Sequence, residues 1–153
     1  MVGTFSQIYI QVVFAVKGRE SLIEKEWEER LYQYITGIVR AKQQKLIAIN
    51  GMADHIHIFI GMKPSCCLSD LIREIKKSSN EFIQLNKFSK FNFSWQDGYG
   101  AFSYSHSQID AVVKYIENQK EHHKKTSFME EYIEFLKKFE IEHDEKYLFN
   151  WID

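Results

Sequence analysis

The stretch from residue 46 to residue 62 constrains the fold most, because it is apolar along nearly its whole length and is interrupted only by Ala53-Asp54. Short apolar runs on either side of a turn dipeptide are typical of two paired strands. We therefore predict strands over residues 46–52 and 55–62, joined by a turn around Ala53-Asp54.

The second of these strands begins with His55-Ile56-His57. Because side chains of a strand alternate between its two faces, His55 and His57 project together and Ile56 projects to the other side. Neither imidazole gains from an apolar environment, and imidazole is a common metal ligand. The pair therefore indicates a metal site, and the alternative is a pair of structural histidines on an ordinary sheet face.

Hydrophobic spacing predicts the elements on either side of this hairpin. Residues 6–16 alternate as a strand does, and residues 22–42 and 68–86 carry apolar side chains at helical spacing. Strands over residues 91–95 and 99–105 are predicted to form a second hairpin across Gln96-Asp97-Gly98, since Asp-Gly favours a tight turn.

Helices are predicted for the last part of the chain. Ser107, followed three residues later by Asp110, resembles a helix N-cap, so we predict a third helix over residues 108–125. Thr126 or Ser127 is expected to cap a fourth helix over residues 128–141, and the apolar segment 147–151 is expected to pack against the body.

The predicted order is β-α-β-β-α-β-β-α-α. It favours an α+β fold, namely a ferredoxin-like antiparallel sheet with helices packed mainly on one face, plus a C-terminal helical extension. We expect a single domain over residues 1–153, with a core to about residue 125 and the extension over about residues 126–153.

Composition narrows the class of protein. Apolar residues make up 44% of the 153 residues and aromatic residues 15%, which is typical of a globular chain and excludes a disordered one. The chain has neither the long apolar stretch of a membrane helix nor a signal segment, so we expect a soluble protein. Cys66 and Cys67 are adjacent, which suits neither a disulfide nor a zinc motif, so a reducing cytoplasm is the expected setting.

Positive charge is concentrated locally although the formal net charge is only −1. A general polyanion binder would be more basic. However, Arg73, Lys76 and Lys77 lie at helical spacing on the second predicted helix. They form either a track for phosphate groups or a solvated helix face.

A polar row runs along the third predicted helix. Its apolar stripe must face the sheet, and Tyr115, Gln119, His122 and His123 fall on the flank of that stripe at about 100° per residue. Side chains on this flank can reach the sheet surface while staying open to solvent. Asp54 precedes the histidine pair, but strand alternation directs it away, so we interpret it as a turn residue.

These residues resemble a known family. His55-Ile56-His57 resembles the HUH motif, and Tyr115 in Lys-Tyr-Ile-Glu-Asn-Gln resembles its partner tyrosine. The chain is similar, over nearly its whole length, to the single-tyrosine HUH transposases of small bacterial insertion sequences. That IS200-like family includes domesticated relatives associated with repetitive extragenic palindromes.

The resemblance implies a metal-dependent transposase acting on single-stranded DNA. Tyr115 would be the nucleophile that forms a 5′-phosphotyrosine and frees a 3′-hydroxyl. His55 and His57 would hold Mg²⁺ or Mn²⁺, with Gln119 the first choice and His123 the second choice for the remaining ligand.

The resemblance also implies partners. Single-stranded DNA hairpins are the expected substrate, with Arg73, Lys76 and Lys77 as a phosphate track, and a homodimer acting at the bacterial nucleoid is expected. No membrane and no small-molecule cofactor are expected. Two alternatives stand beside this interpretation: a non-catalytic nucleic-acid-binding module of ferredoxin-like fold, and an HUH nickase of replication or plasmid transfer. The sequence leaves open whether the site forms in cis or in trans.

Overall fold

The computed structural model describes residues 3–18, 22–90 and 92–143. Its strands are β1 (Tyr9–Ala15), β2 (Lys45–Gly51), β3 (His55–Gly61) and β4 (Gly100–Tyr104). Its helices are α1 (Lys25–Ala41), α2 (Leu68–Leu85), α3 (Ile109–Glu117), α4 (Gln119–His122) and α5 (Phe128–Lys138), and a turn of 3₁₀ helix, His106–Gln108, precedes α3. The segment 147–151, expected to pack on the body, lies outside the described residues.

The four strands form one antiparallel sheet in the order β2-β3-β1-β4. The consecutive strands β2 and β3 are adjacent, whereas β1 lies between β3 and β4, as in a ferredoxin-like fold. The predicted α+β class and antiparallel sheet are confirmed. In the part of the chain that the structure describes, no helix is both long enough and apolar enough to cross a membrane.

The two faces of the sheet carry different helices. Ile56, Ile58 and Ile60 of β3 pack with α1 and α2 in the larger core cluster. On the other face, α3 packs on Phe59 of β3, and α5 packs on Val13 and neighbouring residues of β1 and β4. The two longest helices thus share one face, and the C-terminal helices cover the face to which His55 and His57 belong.

The predicted second hairpin is wrong. Among the described residues, the segment before β4 forms no strand; an isolated bridge between Trp95 and Val16 joins it to the sheet, and β4 pairs with β1 instead. The buried side chain of Gln96 accepts a hydrogen bond from the backbone N–H of Ala15 at 2.5 Å. The segment before β4 is therefore attached to β1 and does not pair with β4, which the Asp-Gly turn signal could not indicate.

The third helix is interrupted at Asn118, so the prediction of one helix over residues 108–125 is wrong in this detail. The side-chain amide of Asn50 on β2 donates to the carbonyl oxygens of Ile116 and Glu117 at 3.0 and 3.1 Å. Carbonyls at a helix end need such partners, so the sheet itself stabilises the break. The predicted Ser107 cap is also wrong, because Ser105 caps the preceding 3₁₀ turn.

The cap of α5 is confirmed. Ser127 adopts extended backbone geometry, and its hydroxyl accepts the N–H of Glu130 at 3.2 Å. Phe128, Phe135 and Leu136 are buried on the inner side of the helix. Burial of this apolar stripe fixes α5 over the sheet beside the two histidines.

Candidate active site

His55 and His57 are both fully buried on the α5 side of β3. Their rings lie 5.2 Å apart between centroids, and both face the carboxylate of Glu131 on α5. The alternation of β3 brings the pair together, as the sequence predicts, and the burial demands polar partners for both rings.

Glu131 lies at the centre of the site. Its Oε1 is 3.1 Å from Nε2 of His57, 3.1 Å from Nε2 of His123 and 3.3 Å from Nε2 of His55. Its Oε2 accepts hydrogen bonds from the hydroxyl of Tyr115 and, at 3.1 Å, from the amide of Gln119. One buried carboxylate thus contacts every residue that the sequence singled out as nucleophile or metal ligand.

The predicted residues of the α3–α4 segment converge here despite the break at Asn118. Gln119 is fully buried, and its Oε1 lies 3.2 Å from Nε2 of His55. Tyr115 lies with its ring 5.8 Å from that of His57, and its hydroxyl is 3.4 Å from Nε2 of His122. Gln119 and His123 are both within reach of the histidine pair.

Two further residues orient the histidine pair from behind. Oδ1 of Asp54 lies 2.7 Å from Nδ1 of His55, and Nε2 of Gln11 lies 2.9 Å from Nδ1 of His57. The expectation that Asp54 points away is wrong, because Asp54 belongs to the turn before β3, where strand alternation does not apply. Since a carboxylate only accepts, Nδ1 of His55 holds the proton and its Nε2 faces the site.

Burial and hydrogen bonding shift the protonation of the two histidines in opposite directions. Burial alone would lower the pKa of His55, but its hydrogen bonds with Asp54 and Glu131 raise that pKa to about 9. Complete burial lowers the pKa of His57 to about 4, against a smaller opposite effect of Glu131. The pair is therefore electrostatically unequal, because Asp54 contacts only the first ring.

The acid and the phenol are also perturbed. Burial raises the pKa of Glu131, but hydrogen bonds from His123, His55 and His57 outweigh it and hold that pKa well below its usual range. Burial, followed by the hydrogen bond to Glu131, raises the pKa of Tyr115 far above its ordinary value. The site therefore pairs an ionised carboxylate with a protonated phenol.

The donor atoms fit a metal ion. His55, His57, His123 and Glu131 each offer one ligand atom, and these atoms all lie within 4.8 Å of one another. Imidazole nitrogens combined with a carboxylate oxygen suit divalent transition metals. The amide oxygen of Gln119 adjoins the same cluster.

The predicted phosphate track lies elsewhere. Arg73, Lys76 and Lys77 are on α2, against the opposite face of the sheet, where they line a cleft of about 490 Å³. Lys76 donates to the carbonyl oxygens of Gln96 and Gly98, both at 2.7 Å. The structure therefore groups the three cations with one another and keeps them apart from Tyr115.

Glu131 and Gln11 belong to the site but are not among the residues predicted from the sequence. A signal was present, because Glu131 lies three residues after Phe128 and four before Phe135, on the edge of the apolar stripe of α5. A lone acid at the edge of a buried stripe indicates a partner on the other side.

Comparisons with known proteins identify the family of the chain. Residues 4–119 match the family model described as "Transposase IS200 like". The chain is 22% identical over 122 residues to the ISDra2 transposase TnpA of Deinococcus radiodurans, an alignment that covers 76% of this chain and 87% of that protein.

Two solved structures share the fold. One is the crystal structure of a transposase-like protein of Deinococcus radiodurans R1, with a TM-score of 0.63, 21% identity and coverage of 78% of this chain and 95% of that one. The other is a REP-associated tyrosine transposase bound to a REP hairpin, with a TM-score of 0.61, 17% identity and coverage of 80% and 73%. Because the family model spans well over half of its length, the chain belongs to the IS200-like transposase family.

Proposed function

We propose that the protein cleaves and rejoins single-stranded DNA through Tyr115, in a metal-dependent reaction with a covalent 5′-phosphotyrosine intermediate. One observation carries the proposal: the Tyr115 hydroxyl and the ligand atoms of His55 and His57 converge on the same buried carboxylate. A hydroxyl placed at a potential metal site is the arrangement that nucleophilic catalysis on a phosphodiester needs.

In this reaction the oxygen of Tyr115 attacks the scissile phosphorus. The new bond joins that oxygen to the 5′-phosphate, the bond to the 3′-oxygen breaks, and the phenol proton leaves so that the 3′-oxygen departs as a hydroxyl. The reverse attack, by a 3′-hydroxyl of another DNA end, releases Tyr115 and reseals the strand. No external energy source is required, because the phosphotyrosine retains the energy of the phosphodiester bond.

We propose that His55 and His57 hold the metal, Mg²⁺ or Mn²⁺, with Gln119 or His123 as a further ligand. When bound, the metal supplies charge stabilisation for the phosphate oxygens. The chain's own contribution is orientation: Asp54 fixes the ring of His55, and the buried position of Gln119 fixes its amide oxygen beside that ring.

The proposed substrate is a DNA hairpin with single-stranded flanks. A REP-associated tyrosine transposase of the same fold is bound to a REP hairpin. On this chain, the cleft of Arg73, Lys76 and Lys77 also contains Trp95 and Tyr99, and this combination of cations with aromatic rings suits a nucleic-acid backbone and unpaired bases. Such a substrate would place the protein at the nucleoid in the bacterial cytoplasm.

We further propose that the protein works as a homodimer in which each chain forms its own active site. Tyr115 lies beside the histidine pair of the same chain, which supports assembly of the site in cis. Mixing Tyr115→Phe with His57→Ala protein would restore cleavage only if the site forms in trans, so the mixture is expected to stay inactive.

Covalent adduct formation tests the proposed function. The full chain is incubated with Mn²⁺ and an end-labelled single-stranded hairpin DNA, and a labelled protein band is sought on a denaturing gel. The adduct is expected with the wild type and with Tyr34→Phe, a surface tyrosine of α1. It is expected to vanish with Tyr115→Phe or with a chelator.

The other outcomes distinguish the alternatives. Hairpin binding that is equal in wild type and Tyr115→Phe, without any adduct, would contradict catalysis and favour the non-catalytic binding module. An adduct formed only on replication-origin or transfer-origin DNA would favour the HUH nickase.

A further inference from the structure

The helix α5 brings one carboxylate into the histidine cluster from outside the part of the chain that matches the family model, residues 4–119. Aromatic contacts secure the helix there, since the ring of Phe128 stacks on His55 with centroids 4.4 Å apart and that of Phe135 lies 6.1 Å from His57. Glu131, between them, is only 1% exposed. Its position is therefore set by packing on both sides.

The hydrogen bonding around His55 is complete only when Nε2 carries either a proton or a metal ion, and the neutral ring that binds a metal carries no proton there. Nδ1 holds the proton that bonds to Asp54, so a neutral ring presents a lone pair at Nε2. That nitrogen faces two acceptors, Oε1 of Gln119 at 3.2 Å and Oε1 of Glu131 at 3.3 Å. The amide nitrogen of Gln119 is used by the other oxygen of Glu131, so the amide is fixed in this orientation. Lone pairs that converge in this way are what a metal ion satisfies.

The charge of Glu131 also favours a role as a metal ligand. Imidazole ligands are neutral when they bind a metal, whereas a carboxylate adds a negative charge, and affinity for divalent cations rises with the charge of the ligand set. Oε1 of Glu131 lies at nearly equal distances from three imidazole nitrogens, those of His55, His57 and His123. A small movement of this oxygen would allow it and the three Nε2 atoms to surround one metal ion.

We propose that Glu131 is a metal ligand supplied by α5, which completes the set of His55, His57 and His123. This inference rests on the proposed metal-dependent function and extends it to the C-terminal helix. By thermodynamic linkage, metal binding then stabilises the docked position of α5, and docking of α5 strengthens metal binding by the same factor. The second oxygen of Glu131 keeps the hydroxyl of Tyr115 next to the metal site.

Titration of the full chain with Mn²⁺ alone, followed by calorimetry, tests the proposal without any DNA. Glu131→Gln, which keeps the size of the side chain, is expected to weaken Mn²⁺ binding by at least about 10–100-fold, the effect of losing a metal-site partner. Glu134→Gln, the same change one turn along the same helix, is expected to bind Mn²⁺ as the wild type does. Unchanged or tighter binding in Glu131→Gln would overturn the inference, because Glu131 would then only cover the site.

Amide hydrogen exchange of the wild type provides a second measurement that does not depend on how any variant folds. If Glu131 is a ligand, Mn²⁺ slows exchange across residues 128–138. If the metal instead displaces Glu131, exchange in this segment becomes faster, and the inference falls.

The same titration separates this inference from the proposed function. Loss of Mn²⁺ binding in His57→Ala together with wild-type binding in Glu131→Gln would overturn only the role of Glu131. A wild-type protein that binds no Mn²⁺ would overturn both the metal dependence and the ligand assignment.

Discussion

The hydroxyl of Tyr115 donates a hydrogen bond to the carboxylate of Glu131, sixteen residues further along the chain. The contact ties the candidate nucleophile on α3 to the C-terminal helix α5. It also holds the phenol in its protonated form, because burial and the adjacent carboxylate both raise the pKa of Tyr115. Attack on a phosphate therefore requires that this hydrogen bond give way or that its proton be transferred.

Replacing Asp54 with Asn should weaken the metal site without unfolding the protein. The side chain of Asp54 is 55% exposed, so its loss leaves no buried cavity, but an amide in its place no longer fixes the proton on Nδ1 of His55. We expect Mn²⁺ affinity to fall by about 10–100-fold, as when other partners of metal-bound histidines are lost. Calorimetric titration measures it, with Asp110→Asn as an exposed control. Equal affinities for the two variants would show that Asp54 is only a turn residue.

Gln11 should control which nitrogen of His57 carries a proton. As the amide is placed, its nitrogen lies 2.9 Å from Nδ1 of His57 and its oxygen accepts the Tyr104 hydroxyl at 2.9 Å. Because Nδ1 of His57 then accepts a hydrogen bond, the ring carries its proton on Nε2, the nitrogen that faces the metal site. We therefore predict that metal binding moves this proton to Nδ1 and that the side-chain amide of Gln11 rotates by half a turn to accept it. Tyr104 permits this, because a hydroxyl both donates and accepts.

Nitrogen chemical shifts of the histidine rings test this prediction. Addition of a diamagnetic divalent ion such as Zn²⁺ should move the proton of His57 from Nε2 to Nδ1 in the wild type. In Gln11→Leu the Nδ1–H has no partner, and metal affinity should fall. A proton that stays on Nε2 with metal present would remove His57 from the ligand set.

The donor set should discriminate between the two metals that the family resemblance implies. Mg²⁺ prefers oxygen ligands and near-ideal octahedral geometry, whereas imidazole nitrogens suit transition metals. The cluster offers three imidazoles and one carboxylate, so Mn²⁺ should bind more tightly than Mg²⁺. Competition of Mg²⁺ against bound Mn²⁺, followed by electron paramagnetic resonance, measures the ratio. Displacement of Mn²⁺ by equimolar Mg²⁺ would indicate that oxygen ligands dominate the site.

Sequence periodicity predicts the parts of the site that depend on one element alone. The common face of His55 and His57 follows from strand alternation, and the flank position of Tyr115 and Gln119 follows from helical spacing. The structure shows both placements, because each depends on the local geometry of one segment. The interruption at Asn118 does not, since it depends on the amide of Asn50 from a distant strand.

Glu131 and Asp54 show why the other contacts were not predictable. The position of Glu131 at the edge of the apolar stripe of α5 indicates burial, but the residues that it meets depend on how that helix packs over the sheet. The prediction for Asp54 applies strand alternation to a residue that lies before β3 begins. In both cases the deciding contact joins elements whose relative placement a single sequence does not specify.

DNA binding should depend on pH through Lys76. Burial lowers the pKa of Lys76 to about 8, against an opposite effect of Asp97, so the ammonium loses its charge as the pH rises through about 8. If the charge contributes to DNA binding, affinity for a hairpin falls between pH 7 and pH 9 in the wild type. Lys76→Arg keeps its charge over this range and should show a smaller decrease.

Fluorescence anisotropy at constant ionic strength measures this effect, with Tyr115→Phe as the background so that no cleavage occurs. Lys77→Arg is the matched control and should follow the wild type. Loss of one phosphate contact should also lower the slope of log affinity against log salt by about 1. An identical pH profile for Lys76→Arg and wild type would assign Lys76 to loop anchoring alone, through its bonds to Gln96 and Gly98.

Gln96 should stabilise the attachment of the segment before β4 to the end of β1. Its side chain accepts the N–H of Ala15, and its own N–H donates to the Ala15 carbonyl at 2.8 Å. Gln96→Ala leaves a buried N–H without a partner, which costs about 1–3 kcal/mol. Urea denaturation should therefore show a lower free energy of unfolding at an unchanged m-value. Gln33→Ala, at an exposed glutamine of α1, should stay within about 0.5 kcal/mol of the wild type. Equal stabilities of the two variants would mean that the segment before β4 is held by the Trp95–Val16 bridge and core packing instead.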